Sequence, residues 1–471
     1  MSISPTDLAL TRFTKWISLA GLHEKEYQKQ GVQKMFELET ATDPIYGCRG
    51  GFLTDEMGLG KTIQMLGLVL VNPTQRTLIV VPPILLDQWE NAFIIFLGHH
   101  PAVYHGNRKR DVDMDKARVV ITTYGTMSLR NTSGAELISP LAGIKWDRII
   151  YDEAHHMRNP NTGAFKGAEK LKGNIQWFVT GTPIQNARSD VFSLLKLFGI
   201  PKDVYSTGEG LTKISEHFKI GRTKAEVGIE LEPVKIHDIP VQWALDEELN
   251  IAADLHSTLS FSSVSASNVD ALISALTHHP LPALLRMRQS CIHMGMLKEA
   301  SSGLIHSGVL KREDVSRGIV GSSKIDTVLK KIQENKDNGN NKIIFTNFRT
   351  ETDILVERIA EMGLNVTFID GRTPERERES ILTATFDVLI LQIQSSCEGL
   401  NLQQYNEVHF VSPHWNPAVE DQAIARAHRV GQTKPVQVYK YYMVGFGDES
   451  QSIDQYCMRI QEVKRMIALS F

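Results

Sequence analysis

The sequence predicts an α/β protein with two parallel-sheet lobes set around a cleft and a mostly helical insertion between them. Three observations predict it. Residues 1–200 alternate short apolar, β-rich runs with helical patterns, residues 201–320 lose that rhythm, and residues 321–450 resume it. Such alternation is the pattern of βα units wound into a parallel sheet. At 471 residues the chain is also too long for one ordinary domain, because single cores stop growing at about 250–300 residues.

In the N-terminal lobe, 1–200, the runs at 77–81, 119–122, 148–151 and 177–179 are apolar or β-branched and end at polar, Gly or Pro punctuation. They read as strands buried on both faces. The segment 201–320 contains a Ser-rich stretch at 257–267, read as a loop, and a helical pattern around 281–292. It reads as an insertion and linker. In the C-terminal lobe, 321–450, the strand candidates are 343–345, 366–369, 388–391 and 408–411, the first preceded by an Asn-Gly-Asn-Asn turn at 338–341. Residues 451–471 mix charged and apolar side chains at helical spacing and read as a closing helix. Ligands of open α/β sheets bind at the strands' C-terminal edges, so chemistry is expected there.

Composition excludes several classes. Hydrophobic residues make up 42% and charged residues 22%, ordinary values for a globular protein. No apolar run reaches the roughly 18 residues of a membrane span, and the N-terminal residues lack the basic and apolar regions of a secretory signal. An intracellular protein without a membrane partner is expected. The four cysteines, Cys48, Cys291, Cys397 and Cys457, form no CxxC pair, so they read as reduced structural thiols and not as a zinc site. The His99-His100 and His278-His279 pairs read as solvated loops. The net charge of −3 does not advertise nucleic-acid binding, but a backbone-gripping site needs only local positive charge.

The strongest local pattern is Asp55-Glu56-Met57-Gly58-Leu59-Gly60-Lys61-Thr62. Gly58 and Gly60 permit a tight turn that aims backbone N–H groups at phosphate. Lys61 can reach the β- and γ-phosphates and the Thr62 hydroxyl can ligate Mg²⁺, while a following helix would add its dipole. Asp55 stands where the general phosphate-loop pattern has Gly. The second pattern is Ile149-Ile150-Tyr151-Asp152-Glu153-Ala154-His155, about 90 residues beyond Lys61, a separation that suits a sheet wound through several βα units. Asp152 can hold Mg²⁺ directly or through water, and Glu153 can orient or deprotonate an attacking water.

Together with the motifs at other positions, these boxes resemble the Swi/Snf-type helicase-like ATPases, the superfamily 2 DNA translocases, over nearly the whole chain. Tyr27-Gln28 resembles the adenine-reading Gln motif, with Glu24-Lys25-Glu26 departing from the usual Arg before it. Asp55 to Thr62 matches the family's own phosphate loop, Asp55 included. Val81-Pro82-Pro83 through Gln88-Trp89 resembles motif Ia, Thr122-Thr123-Tyr124 motif Ib, and Asp152 to His155 motif II. Thr180 through Asn186 is similar to the family form of motif III. Ile344 to Phe348 resembles motif IV, Ser395 to Leu402 motif V, Trp415-Asn416-Pro417 the Trp-Asn-Pro box, and Asp421 to Gln432 motif VI. Fainter matches are Arg222-Thr223-Lys224, Arg288 to Cys291, Ser323-Lys324 and Ser452-Ile453-Asp454. RNA helicases with the same acidic box carry a Ser-Ala-Thr motif III and a Gly-Arg-rich motif VI, and this chain carries neither.

The resemblance implies two RecA-like lobes, a near-minimal motor core and a DNA-dependent ATPase that translocates on double-stranded DNA, with a strand-separating helicase and a non-catalytic scaffold as the other readings. It implies catalytic roles for Lys61, Asp152, Glu153, Arg426 and Arg429, the two arginines sharing one helix face and acting as fingers on the γ-phosphate. It implies ATP contacts from Gln28, Asp55 through Thr62, and Gln432, and Mg²⁺ at Thr62 and Asp152. Thr122, Thr123, Asn347, Ser395, Ser396 and Asn401 are the implied nucleic-acid contacts, short donors of the kind that read backbone and not sequence. Nucleosomes or other DNA-bound proteins would be partners of a monomeric motor, alone or within a larger complex, and the DNA substrate implies a nuclear location. Trp89 and Trp415 fit either core packing or a DNA wedge.

Overall fold

The computed structural model describes residues 4–132, 135–181, 188–257, 281–306, 321–396, 400–447 and 450–469. The chain divides into two compact units, Met1–Glu230 and Leu231–Phe471.

In the first unit the apolar runs become a parallel sheet because their side chains are buried on both faces, as every residue of Thr77–Val81 and Val119–Thr123 is. Its strands are β1 Gly50–Leu53, β2 Thr77–Val81, β3 Ala102–Tyr104 and β4 Val119–Thr123. A short antiparallel pair comes next, β5 Arg130–Thr132 and β6 Ala135–Leu137. Then come β7 Lys145–Asp152, β8 Lys172–Val179 and β9 Lys219–Ile220. The seven-stranded order is β3-β4-β2-β7-β8-β1-β9, parallel throughout. Of the helices α1 Pro5–Leu19, α2 Glu26–Thr40, α3 Lys61–Val71 and α4 Leu86–Leu97, α2 packs against β1 and α4 against β4, while α1 packs on α2 and α3.

The core of this unit holds a fully buried ion pair. Arg148 on β7 and Glu39 on α2 are fully buried and paired, with Arg148 Nε 2.6 Å from Glu39 Oε1. Trp177 Nε1 and Asn72 Nδ2 also donate to the carboxylate, at 2.9 and 2.6 Å. A buried carboxylate persists only with such compensation.

The second unit's sheet contains β10 Lys235–Val241, β11 Lys342–Thr346, β12 Val366–Ile369, β13 Val388–Gln392, β14 Glu407–Phe410 and β15 Gln437–Met443, ordered β10-β15-β14-β11-β13-β12 and again parallel. The helix Leu281–Ile292 and the closing helix Ile453–Leu469 occur where periodicity placed them.

The segment 201–320 is shared out between the units. Lys219 and Ile220 pair with Phe52 and Leu53 at one edge of the first sheet. Lys235–Val241 pairs with Gln437–Met443 at one edge of the second. Leu255, Met287, Cys291 and Ile292 belong to the second unit's core with Ile325 and Val328. The Ser-rich stretch lies almost wholly outside the described residues, as do His278 and His279. Among the described residues no helix is long and apolar enough to cross a membrane.

Candidate active site

Strand β1 runs into the loop 54–60, which turns into α3. Gly58 and Gly60 have φ of +92° and +77°, the left-handed region open to glycine. Gly60 caps α3, and a Cβ there would collide with the Gln28 amide. The first N–H groups of this 11-residue helix have no intrahelical acceptors and suit an anion. Lys61 Nζ donates to the Asp55 carbonyl at 2.8 Å and lies 3.4 Å from where a Gly181 Cβ would stand, so Lys61 meets the start of motif III.

Several residues expected at the nucleotide support the loop through their side chains. Asp55 has no exposed surface. Its carboxylate takes a fork from Arg222, 2.9 Å to Nε and 2.6 Å to Nη2, and a bond from Gln64 Nε2 at 2.8 Å. Gln28 Nε2 donates to the Leu59 carbonyl at 3.0 Å. Glu56 holds the Lys224 ammonium at 2.9 Å and its backbone N–H at 2.7 Å. Leu59 is buried, so its side chain belongs to the core. Backbone of this loop, with Lys61 and Thr62, is what remains to face phosphate.

Strand β7 delivers motif II. Asp152 ends the strand, and Glu153 adopts φ +51°, one of two non-glycine residues with positive φ among those described. That conformation costs on the order of 1–3 kcal/mol and tends to occur where a functional side chain must be re-aimed. The Trp89 indole donates to Asp152 Oδ2 at 2.7 Å, the Glu153 N–H to Oδ1 at 3.0 Å, and the Tyr124 hydroxyl to the Asp152 carbonyl at 2.7 Å. Burial, then the adjacent Glu153 charge, pushes the Asp152 carboxyl up, while the Trp89 bond and the Lys61 charge pull it down. Lys61 and Asp152 thus share one electrostatic site. His155 Nδ1 stands 3.3 Å from Glu153 Oε2 and 3.4 Å from Thr180 Oγ1, joining motif II to the head of motif III. Adjacent buried carboxylates beside a hydroxyl-bearing helix start are hard oxygen donors, and they fit Mg²⁺.

The Thr122 and Thr123 side chains turn inward. Both are fully buried. Thr122 Oγ1 donates to the Tyr104 carbonyl at 2.8 Å, and Thr123 Oγ1 lies 3.0 Å from both His105 Nδ1 and Thr126 Oγ1. Asn347 follows β11 and is half-buried, while Asn401 is exposed. Ser395 and Ser396 follow β13, the neighbour of β11, in a short helix at the same sheet edge. Motif III from Thr182 to Asn186 and residues 397–399 of motif V lie outside the described residues.

Arg426 occupies the last turn of the helix Pro417–Ala427. The expected shared helix face is corrected: the helix stops at Ala427, so Arg429 stands in the following turn. Burial and the Arg426 charge lower the affinity of Arg429 for its proton, which puts two cations close together. The Gln432 amide nitrogen lies 3.0 to 3.3 Å from the carbonyls of Gln403, Tyr405 and Ala427, and its oxygen accepts from Lys434 N–H. It fastens the motif VI turn. Trp89 is buried and Trp415 packs against the second unit's core beneath Arg288.

Sequence reasoning missed the supporting roles of Trp89, Tyr124, Arg222 and Lys224. The motif boxes contained the first two, and the Arg222-Thr223-Lys224 string pointed at the others without a location.

Residues 27–235 match the SNF2-related domain, and residues 323–431 match the helicase conserved C-terminal domain. A relative named "Probable global transactivator", from Orgyia pseudotsugata multicapsid polyhedrosis virus, is 28% identical over 93% of this chain and 89% of its own. A Danio rerio protein named "DNA excision repair protein ERCC-6-like" is 27% identical over 91% of this chain, which spans 35% of that protein's length. The crystal structure of the Pyrococcus furiosus Hef helicase domain has a similar fold at 16% identity, with a TM-score of 0.52, covering 91% of this chain and 97% of that one. The chain is an ATP-hydrolysing enzyme of the SWI2/SNF2-type helicase family, with an SNF2-related domain followed by a helicase C-terminal domain.

Proposed function

We propose that the chain couples ATP hydrolysis to translocation along double-stranded DNA, displacing or remodelling proteins bound there. The observation that carries this reading is the Tyr124 hydroxyl on the Asp152 carbonyl, 2.7 Å. Tyr124 directly follows β4, whose C-terminal end is the proposed nucleic-acid edge, and Asp152 is the proposed metal ligand. A shift at that edge therefore reaches the hydrolytic strand through one hydrogen bond. The name of the Danio rerio relative also concerns DNA.

In this reading the phosphate-loop backbone and Lys61 hold the β- and γ-phosphates, and Thr62 and Asp152 hold Mg²⁺. Bound Mg²⁺ supplies charge neutralisation of the phosphate oxygens. Glu153 orients or deprotonates the attacking water, and Arg426 and Arg429 answer the charge that builds on the γ-phosphate. Gripping a backbone without reading bases predicts weak sequence preference and strong salt dependence. Nucleosomes or other DNA-bound proteins would be its targets, acted on by a monomeric motor or one within a complex, and a nuclear location follows from that substrate.

The test is ATP turnover without nucleic acid, with duplex DNA and with RNA, beside a strand-displacement assay. Stimulation by duplex DNA without unwinding is expected. Equal stimulation by RNA, or processive strand separation, favours the helicase reading instead.

A further inference from the structure

We propose that Arg222 is a positioning residue for nucleotide, setting the shape of the phosphate loop from the strand that leaves the first unit. The proposal rests on the reading of residues 55–62 as the ATP phosphate site.

Residues 219–224 run beside β1 and the loop that follows it. Thr54 N–H donates to the Ile220 carbonyl at 2.7 Å and Glu56 N–H to the Arg222 carbonyl at 2.8 Å, so the parallel pairing continues into the loop itself. From there the Arg222 guanidinium reaches three elements. It forks onto the buried Asp55 carboxylate. It donates to Gln64 Oε1 at 2.9 Å, in the first turns of α3. It also donates to the Tyr27 carbonyl on α2, with the Tyr27 ring 5.4 Å away. Asp55 begins the loop and Gln64 lies just beyond it, and Gln64 Nε2 donates back to Asp55. The two ends of the loop are thus tied to one cation. Gly31 on α2 leaves the space this needs, since a Cβ there would collide with Gln64 Oε1 and approach Arg222 Nη2 to 2.8 Å. Lys224, two residues on, closes the outer side through Glu56.

A buried carboxylate stripped of its cation must take a proton or move. The Asp55 carbonyl is the acceptor of Lys61 Nζ, so a shift of the Asp55 backbone carries that acceptor with it. Losing Arg222 therefore misplaces Lys61 and the loop N–H groups while leaving every phosphate-facing group in the sequence. The same contacts put the nucleotide state within reach of residues 219–224, the chain's way out of the first unit.

The experiment measures the equilibrium affinity of the full chain for a fluorescent ADP analogue, with thermal unfolding recorded in parallel. Arg222→Ala is expected to weaken binding by about tenfold or more, the scale of a small misplacement in a preorganised site, and millimolar guanidinium ion is expected to restore part of it. Gly31→Ala is expected to weaken binding while the helix keeps its stability, because Ala favours a helix over Gly. If Arg222→Ala fails to fold, Gly31→Ala and Asp55→Asn carry the test. Wild-type affinity in these folded variants, alongside lost binding in Lys61→Ala, would overturn the proposal. Wild-type affinity in Lys61→Ala would instead remove the phosphate-site reading beneath it.

Discussion

At the residue scale, the proposed hydrolytic centre is two adjacent side chains sent in different directions by one backbone angle. Asp152 completes β7, while Glu153 turns off it at φ +51°. Glu153→Gln keeps size and turn but removes the proposed base. Nucleotide affinity should stay within about twofold while turnover falls by roughly 10²–10⁴, the usual worth of general base catalysis. Steady-state hydrolysis and equilibrium binding separate the two effects, and retained turnover removes Glu153 from this role. Trp89 is the second case. Its indole N–H bonds the Asp152 carboxylate at 2.7 Å, and hydrogen bonds to charged groups contribute about 1.5–3 kcal/mol. Trp89→Phe should raise the Mg²⁺ concentration needed for half-maximal turnover, with recovery at high Mg²⁺. An unchanged Mg²⁺ profile would leave Trp89 a core residue only. Asp152 and Glu153 were legible because a strand run ending in paired acids is a local pattern. Trp89 was not, because its partner lies 63 residues away and a Trp on an apolar helix face reads as core.

At the element scale, legibility follows burial. The inner strands β2, β4, β7, β11 and β13 are built around apolar or β-branched runs, since both faces are covered. The edges do not. Strand β9 has two residues, β3 has three, and β10 exposes most of its side chains and carries Pro240, tolerated where one side lacks a neighbour. The sheet membership of 201–320 was hidden for this reason: its strands are edge strands, and only pairing reveals which sheet each joins. The helix Asp246–Ser257 shows what burial does to a titratable group. His256 is 4% exposed and its Nδ1 lies 2.7 Å from the Ala252 carbonyl. Burial pushes its pKa down to about 4, from an ordinary 6.5. The folded ring stays neutral, so as pH falls from 6.5 towards 4 the unfolded chain takes the proton first and stability is lost, by about 3 kcal/mol in all. His256→Gln should lack that part of the acid sensitivity in denaturant titrations at pH 7 and pH 4.5. Identical acid sensitivity in both proteins would contradict the assignment.

At the scale of the whole molecule, each unit has its own sheet and core, and damage should stay where it is made. Arg148→Met strands the Glu39 carboxylate among Trp177 and Asn72, and removing one partner of a buried pair costs about 3–5 kcal/mol. Hydrogen exchange should show lost protection in residues 50–179, with residues 342–443 unchanged. Loss spread evenly over both would contradict two independent cores. The motif order foretold an ATP-hydrolysing enzyme with two sheets and its family membership, but it located cations by spacing alone. It therefore put Arg429 on a helix that ends at Ala427, and it gave no sign that the Gln432 amide fastens the turn.

Above all, hydrolysis is proposed to need Arg426 and Arg429 as the cations that answer charge building on the γ-phosphate. The most direct measurement is DNA-stimulated ATP turnover and nucleotide affinity in Arg426→Ala and Arg429→Ala. Turnover is predicted to fall by about 10³ or more, the scale of an arginine finger, with nucleotide affinity near that of the unaltered chain. Wild-type turnover in both variants would contradict it.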